Sequence, residues 1–497
     1  MRKFVADFPS ADRLSPASPP MKPVWRDRIV AAFAAMLAVG LGAQLAEGTS
    51  LAPVAVAALA AAFILVRLLG QPIDAIALGF LIVGYMLGNR GFAQLMPVPG
   101  LPLLPAETGL ALTAVCLVWR CVREHRLPWN REPLDLILLA WLLLGTARLA
   151  LDAPRFGFVA VRDYAMVYYA AFFFIAREAS RNTRSHRFLQ RCVLGASALL
   201  PLVFVLFELL PEFFLGTLLV RGAPLVFFKG DLVTTFLGVG GILLFLAAPP
   251  RWRAGARTLA VTMIMLVLVS DARASTLGVI VALGWVAVSR FRRFAWVQVG
   301  VATLGLLLLG GFAAFSDNAW AAQKTRGIVE RAMTVVDFRS GFDYREAHSV
   351  IKSGNNQFRW VWWRTVVGET FAQNPVFGLG FGYDMARGFL QAYNPEMADE
   401  FSARSPHNVL VTILGRLGLA GLLIFLSFLG LLATRTWRVV RAPESDATEV
   451  AQWIALWPIV VSACLGVVLE GPMGAVLFWT LLGIAVQESR AKATPDA

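Results

Sequence analysis

Long apolar runs separated by short polar segments make up most of this chain. A helix of about 20 apolar residues crosses the hydrocarbon core of a bilayer, and only helices and closed barrels can cross it. The pattern predicts an all-α polytopic membrane protein with about 12–14 transmembrane helices. The approximate predicted spans are 29–46, 51–66, 73–89, 105–119, 133–147, 163–176, 192–210, 232–248, 258–270, 274–289, 295–315, 407–434, 452–469 and 472–487.

One long polar segment, residues 317–405, interrupts this pattern. Its acidic and basic residues are balanced, it is rich in aromatic residues, and apolar side chains between 358 and 366 fall on one helical face. These features predict a folded, mostly helical loop. The predicted organisation is a disordered cytoplasmic tail at 1–28, a membrane domain at 29–316, the large loop at 317–405, the last membrane helices at 406–487 and a cytoplasmic tail at 488–497.

The composition agrees with a membrane protein, because 58% of the 497 residues are hydrophobic and the mean hydropathy is +0.65. The net charge of +13 arises from arginine and lysine in every second loop, which is typical of loops that stay in the cytoplasm. Both tails are therefore predicted to be cytoplasmic, and the 317–405 loop is predicted to lie outside. The charge does not indicate a nucleic-acid partner.

One of the four histidines stands at the start of a long apolar run. His407 belongs to the sequence SPHN at residues 405–408, directly before the predicted helix. Ser405 is expected to cap this helix and Pro406 to occupy its first position, which places His407 in the first turn. The helix dipole disfavours a charged imidazole there, and a neutral imidazole can act as a general base. The alternative is a histidine with a capping or interfacial role only.

A few cations stand on the predicted outer side, where short loops should be poor in arginine and lysine. They include Arg162, Arg221, Lys229 and Arg273. Arginine binds phosphate oxygens through paired hydrogen bonds and lysine acts as a point charge, so such a group could bind a pyrophosphate. The alternative is a set of local ion pairs, namely Arg162 with Asp163, Lys229 with Asp231, and Arg273 with Asp271.

Two further features lie on either side of His407. Alternating glycines at 378, 380 and 382 allow tight backbone turns, but no Gly-Lys-Ser/Thr follows, so this is not a phosphate-binding P-loop. Arg416 lies inside the predicted helix, about 180° around the helix from His407. A buried charge in a span needs a partner or a water-filled cavity. Neither the four cysteines nor the histidines are spaced as metal ligands, so no metal site is expected.

Four places along the chain resemble the O-antigen ligase family, which also includes polymerases of bacterial surface polysaccharides. These places are Arg162-Asp163 before an aromatic-rich helix, the arginine-containing turn at 270–275, the segment from Asn374 to Gly382, and His407 with the glycine-rich helix that follows it. Their order and the large outer loop extend the resemblance over most of the chain. The chain departs from the family in having more predicted spans and no asparagine-rich stretch at 228–235.

The resemblance implies a GT-C type glycosyltransferase that uses no metal, nucleotide or other cofactor. Such enzymes transfer a glycan from undecaprenyl pyrophosphate to an acceptor hydroxyl at the periplasmic face of the bacterial inner membrane, with inversion. By this resemblance His407 would assist deprotonation of the acceptor, and Arg162 and Arg273 would bind the donor pyrophosphate. Lys229 and Arg221 are additional candidates for the donor, and Arg404 and Asp163 are candidates without an assigned role.

The identity of the acceptor is open. A ligase transfers the glycan to lipid A–core, whereas a polymerase transfers it to a second lipid-linked repeat unit of O-antigen or exopolysaccharide; the resemblance favours the ligase. A transporter or flippase of lipid-linked polysaccharide is the alternative from a different class. Transporters usually contain paired repeats with broken helices at the midplane, whereas the unusual residues of this chain gather at one face.

Overall fold

The structure is a computed structural model. It describes residues 69–96, 104–270, 272–293, 347–393 and 404–493, with isolated positions between 296 and 308. Helices form almost all of the described part. The helices are α1 (Ile73–Leu87), α2 (Arg90–Ala93), α3 (Pro105–Arg123), α4 (Pro133–Phe156), α5 (Phe158–Asp163), α6 (Ala165–Tyr168), α7 (Ala171–Ala179), α8 (Thr183–Leu209), α9 (Gly230–Ala247), α10 (Arg253–Val269), α11 (Arg273–Val288), α12 (Ala347–Gln373), α13 (Arg387–Tyr393), α14 (Val409–Arg441), α15 (Ala447–Cys464) and α16 (Pro472–Ala493). Between α8 and α9, a π-helical turn (Phe213–Thr217) precedes a short antiparallel hairpin of β1 (Leu219–Val220) and β2 (Ala223–Pro224).

The predicted fold class, an all-α polytopic membrane protein, is confirmed. Six described helices are long and apolar enough to cross a bilayer, namely α3, α4, α8, α9, α14 and α15. A seventh is obtained if the bent pair Phe158–Tyr168 and Ala171–Ala179, with an angle of 44°, forms one span. The predicted spans at 29–46 and 51–66 lie outside the described residues, as does nearly all of 295–315. The other predicted spans coincide with helices, and the total of 12–14 stays a prediction.

Helix α9 lies in the middle of the bundle, and α3 lies at its periphery. In the apolar stretch of α9, 78% of the residues are buried inside the protein, compared with 17% in that of α3. Helix α9 packs against α8, α10, α11 and α15. Small residues allow this close approach: a Cβ at Gly278 of α11 would lie 2.9 Å from the carbonyl oxygen of Pro458 in α15. Close packing at small residues is the typical way in which membrane helices associate.

Ion pairs join several helices at the end of the bundle farthest from His407, which we call the basic end. Helix α14 starts beside His407 and is about 50 Å long, so Arg435 near its other end lies roughly a bilayer thickness away. Arg435 and Arg490 both contact Glu132 at the start of α4, at 3.3 and 2.7 Å. Arg177 pairs with Asp135 in a fully buried contact. Arg177, Arg435 and Arg490 therefore have acidic partners in addition to their place in the charge pattern.

The described part of the 317–405 loop is helical and has a small hydrophobic core. Trp362 and Val366 of α12 pack against Met385 and Phe389, which follow the segment from Asn374 to Gly382, here called the glycine segment. The Trp362 and Phe389 rings stack with their centroids 5.5 Å apart, and the Trp362 indole donates a hydrogen bond to the carbonyl of Met385 at 2.8 Å. Helix α12 also packs against α14. The loop is thus built as a folded unit against the helix that His407 precedes.

Candidate active site around His407

Helix α14 begins later than predicted, and its N-cap is Asn408. The Asn408 side chain accepts hydrogen bonds from the backbone N–H groups of Leu410 at 3.0 Å and Val411 at 3.3 Å. Asparagine is among the best N-cap residues, and its side chain satisfies two of the free donors of the first turn. The predicted cap at Ser405 is therefore wrong. His407 precedes the cap and is not in the first turn; its φ of +57° is left-handed.

A tight polar loop with two tryptophans against it fixes the position of His407. The backbone N–H of His407 donates to the Ser405 hydroxyl at 3.3 Å, and the Trp363 indole donates to the Pro406 carbonyl at 2.6 Å. The Trp362 ring lies 6.2 Å from the imidazole, centroid to centroid. The aromatic run of α12 thus contacts the histidine loop directly.

The contacts of the imidazole determine which ring nitrogen is available for chemistry. His407 Nδ1 lies 2.9 Å from the carbonyl oxygen of Ser405. A carbonyl oxygen can only accept, so Nδ1 must carry the hydrogen. In the neutral ring, Nε2 then holds the free lone pair. This is the tautomer that a general base acting through Nε2 requires.

The surroundings of His407 favour its neutral form. Burial lowers the pKa of the imidazole from its ordinary value, and the positive charges of Arg359 and Lys229 lower the pKa further. The Ser405 carbonyl and the carboxylate of Asp231 act in the opposite direction, with smaller effects. A neutral His407 was predicted from the helix dipole. The structure supports the same state for a different reason, namely burial beside two cations.

Arg359 was not predicted as a site residue, because it stands in an aromatic run that was predicted only to form a helical face of the folded loop. It lies on α12, donates to the carbonyl of Leu465 at 3.1 Å, and has a pKa lowered by burial. Lys229 precedes α9 and pairs with Asp231 at 3.3 Å, which is the local ion pair given above as the alternative to a binding role. Lys229 is still only 30% exposed. Two cations from distant parts of the sequence thus act on one histidine.

Glu470 is a second residue that the sequence analysis missed. The Thr412 hydroxyl donates to Glu470 Oε1 at 2.9 Å and lies 3.3 Å from the Ser405 hydroxyl. Burial raises the pKa of Glu470 to about 6, and hydrogen bonds from Ser405 and Thr412 limit this rise. The sequence does contain one signal that could have identified Glu470: it is the only carboxylate in the short turn LEGP at 469–472, between two apolar runs. Through Ser405, this carboxylate is connected to the loop that holds His407.

A buried ion pair lies beside this network and holds the glycine segment. Arg416 Nη2 lies 2.8 Å from Asp163 Oδ2, and the backbone N–H of Gly382 donates to the same oxygen at 2.9 Å. Arg416 also donates to the carbonyl of Gly380 at 3.1 Å. Arg404 donates to the carbonyl of Gly382 at 2.7 Å and lies 3.7 Å from Asp163. We call Asp163, Arg416 and Arg404 the carboxylate clamp.

The backbone conformation of the glycine segment requires glycine at three positions. Residues 378, 380 and 382 all have left-handed backbones, with φ of +74°, +98° and +88°, a region that glycine adopts without steric cost. Between the last two of them, the backbone N–H of Phe381 donates to Asp152 at 2.7 Å. Asp152 is held in turn by Arg148 at 2.8 Å. The predicted tight turns are therefore present, and carboxylates of the membrane helices bind their backbone.

The same segment packs against a kink in α14 at Gly418. Gly418 has φ of +65°, and the backbone N–H groups of Leu419 and Ala420 bond to the carbonyls of Pro375 at 2.8 Å and Val376 at 3.0 Å. A Cβ at Gly418 would lie 2.3 Å from the Val376 oxygen. The kink frees backbone donors of α14, and the glycine segment satisfies them.

Arg273 is the first residue of α11, and the start of α11 meets the start of α9. Ser275 donates to the backbone carbonyl of Asp231 at 2.9 Å and lies within 2.9 Å of the hydroxyls of Thr234 and Thr235. Arg273 is therefore at the same end of the bundle as Lys229 and His407. Its predicted alternative partner, Asp271, is outside the described residues.

Arg162 and Arg221 are the most exposed of the predicted cations. The Arg162 side chain is 58% exposed, with its Nε 3.9 Å from Asp163 Oδ1, a loose form of the predicted local pair. Arg221 is exposed at the tip of the β1–β2 hairpin, with φ of +52°. Their roles in donor binding stay predictions. Within the residues that the structure describes, no group of three or more His, Cys, Asp and Glu side chains could hold a metal ion.

Comparison with known protein families identifies the segment that contains much of this site. Residues 258–426 match the family described as O-antigen ligase. This segment of the chain is similar to the O-antigen ligase family. The predicted family is thereby confirmed, and the match includes Arg273, Arg359, His407 and Arg416. Asp163, Lys229 and Glu470 lie outside the O-antigen ligase match, although the fold brings them to its residues. A search of curated proteins gave no significant match.

Proposed function

We propose that this protein transfers a glycan from undecaprenyl pyrophosphate to an acceptor hydroxyl, with lipid A–core as the acceptor. The observation that carries the proposal is the imidazole of His407 before α14: its Nδ1 contacts the Ser405 carbonyl, which leaves the lone pair on Nε2, and burial with the charges of Arg359 and Lys229 lowers its pKa. The O-antigen ligase match supports lipid-linked glycan as the substrate class. The proposal places this end of the bundle on the periplasmic side of the bacterial inner membrane and both termini in the cytoplasm.

The proposed reaction is a direct displacement at the anomeric carbon. His407 Nε2 accepts the proton of the acceptor hydroxyl as the oxygen attacks. The new C–O bond forms as the bond to the pyrophosphate breaks, and the electron pair leaves with the pyrophosphate. The anomeric configuration is inverted, and no covalent intermediate is needed.

The cations have their main role in the departure of the pyrophosphate. Charge that develops on a leaving group is best stabilised by donors that are already in place. Arg359 is held by the Leu465 carbonyl and Lys229 by Asp231, so both are oriented before substrate arrives. Arg273 starts the neighbouring helix and is the next candidate, followed by Arg162 and Arg221. The same cations lower the pKa of His407, so donor binding and base activity are served by the same residues.

Polymerisation of O-antigen or exopolysaccharide repeat units is the second candidate activity, since it differs only in its acceptor. Deleting the gene distinguishes the two when surface glycans are separated on a gel. Loss of all long chains from lipopolysaccharide is expected for the ligase. Single-repeat caps would indicate an O-antigen polymerase, and loss of a separate capsule would indicate an exopolysaccharide polymerase. Unchanged surface glycans would contradict all three.

The pH dependence of transfer should report the effect of Arg359 on His407. The base must be neutral, and its lowered pKa keeps it neutral down to a pH below about 6.5. The acid limb of kcat/KM should therefore lie below that value in the wild type. In Arg359→Gln the lowering charge is removed, so the pKa rises and the acid limb moves to higher pH.

The position of the limb, rather than the rate, is the informative quantity, because Arg359→Gln also weakens donor binding. Arg364→Gln is the matched control: this arginine is exposed on the same helix and is not among the charges that act on His407. An acid limb at the same pH in all three proteins would show that Arg359 does not influence the base.

A further inference from the structure

A polar pocket lies at the basic end of the bundle, away from His407. It has a volume of about 420 Å³ and is lined by Arg120, Arg126, Arg181 and Ser185, among others. Pockets of roughly 300–1,000 Å³ are typical of small-molecule sites. It is formed where α3 ends and α8 begins. No residue of the His407 site contributes to it, so it is a separate site.

One wall of this pocket has an unused hydrogen-bonding group. Ser185 is 0% exposed, and its hydroxyl has no partner among the described residues. A buried hydroxyl without a partner is costly, and a bound water, ion or ligand can complete the bond. The first turn of α8 adds partial positive charge beside it. Both features favour an oxygen-rich anion.

The charges around the pocket also favour an anion. Glu124 and Glu178 also line the pocket, and together with Asp74 they balance its three arginines. The Arg120–Asp74 contact is 2.6 Å and the Arg181–Glu178 contact is 3.3 Å. Exposed arginines at 123, 184 and 187 lie on the same two helix ends and leave an excess of positive charge. Arg181 is 44% exposed, and its described ion pair uses only Nε.

A second pocket adjoins the first and is apolar. It has a volume of about 820 Å³ and shares Arg126 with the polar pocket. Its other walls include Val118, Val122, Leu127 and Trp129, of which the first three are at least 60% exposed. Helix α3 presents Val118 and Val122 at the periphery of the bundle, where acyl chains would meet them, and the segment after α3 contributes Leu127 and Trp129. A free phosphate would use only the polar pocket, whereas a phospholipid would use both.

We propose that these paired pockets bind an anionic phospholipid, with its phosphate in the polar pocket and the upper part of an acyl chain along α3. Arg181 and the Ser185 hydroxyl would contact the phosphate oxygens, and Arg126 would lie at the junction of head group and chain. Basic pockets between membrane helices on the cytoplasmic side are typical sites for anionic lipids. Because α8 contacts the central helix α9, the lipid would stabilise the bundle itself.

The test uses the purified full-length protein after removal of lipid in detergent. Phosphatidylglycerol should raise the midpoint of thermal unfolding with a saturable dependence, and phosphatidylcholine should have a smaller effect. Arg181→Gln should raise the apparent Kd for phosphatidylglycerol roughly tenfold, the loss expected for one charge-assisted hydrogen bond. Arg253→Gln is the matched control, because this exposed arginine begins α10, away from the pocket.

The alternatives give different results. Equal stabilisation by inorganic phosphate would show a free-anion site and overturn the lipid proposal. An unchanged Kd in Arg181→Gln, or equal stabilisation by both lipids, would also overturn it. If Arg181→Gln does not fold, native mass spectrometry of the wild type with the two lipids decides: preferential retention of phosphatidylglycerol supports the proposal, and equal retention contradicts it.

Discussion

His407→Ala is expected to reduce glycan transfer by about 10²–10⁴-fold, the usual contribution of a general base, while the protein stays in the membrane. The Nε2 lone pair is lost, and no other described side chain is bound to the Ser405 carbonyl in a way that could replace it. Transfer should be measured in membranes of a deletion strain that carries the variant gene, with the amount of protein checked by immunoblot. Transfer at the wild-type rate would contradict a catalytic role for His407.

A second substitution separates chemistry from backbone strain. The left-handed φ of His407 disfavours alanine, so a loss of activity in His407→Ala could come from a displaced loop. Asparagine tolerates this conformation and cannot act as a base at pH 7, so His407→Asn should be as inactive as His407→Ala. His125→Ala is the matched control, because His125 is exposed, also has a left-handed φ of +48°, and lies at the basic end. Restored activity in His407→Asn would assign the effect to backbone strain.

The helices were predictable from the sequence because their signal is local. Apolar runs predicted the described spans, and alternate basic loops predicted which helix ends share a side. The exact start of α14 was not predictable from propensity alone, because Ser405 and Asn408 are both good caps. The choice depends on tertiary contacts: the Ser405 carbonyl is used by His407, and the Trp363 indole holds the Pro406 carbonyl.

The site was predictable only in part, because its pairings join distant segments. His407 and Lys229 were identified as anomalies of composition and position, and the fold places them within electrostatic reach of one another. Arg359 was hidden among other arginines and tryptophans, and Glu470 in a turn between two spans. Arg416 needed a partner, but no spacing rule indicated Asp163, which lies more than 200 residues earlier in the chain.

Asp163→Ala is expected to destabilise the protein by about 3–5 kcal/mol, because it leaves Arg416 as an uncompensated charge in the bundle. The side chains of this pair are only 9% and 3% exposed, so water cannot replace the carboxylate. The substitution also removes the acceptor of the Gly382 N–H and should release the glycine segment. The free energy of unfolding in detergent, followed by tryptophan fluorescence, measures the loss. Arg162→Gln is the matched control, since this exposed neighbour should change stability by no more than about 0.5 kcal/mol.

The double variant Asp163→Leu/Arg416→Met distinguishes a buried-charge effect from loss of the hydrogen bond to the Gly382 backbone. Replacing both members of a buried ion pair with apolar residues is often neutral, whereas removing one member is not. The double variant should therefore recover most of the stability lost in Asp163→Ala, but not the hydrogen bond to Gly382. It should fold and still transfer glycan poorly, because the glycine segment that packs against α14 has lost its contacts with Asp163 and Arg416. Full activity in the double variant would show that the carboxylate clamp serves stability alone, and a loss below about 1 kcal/mol in Asp163→Ala would show that the clamp is solvated.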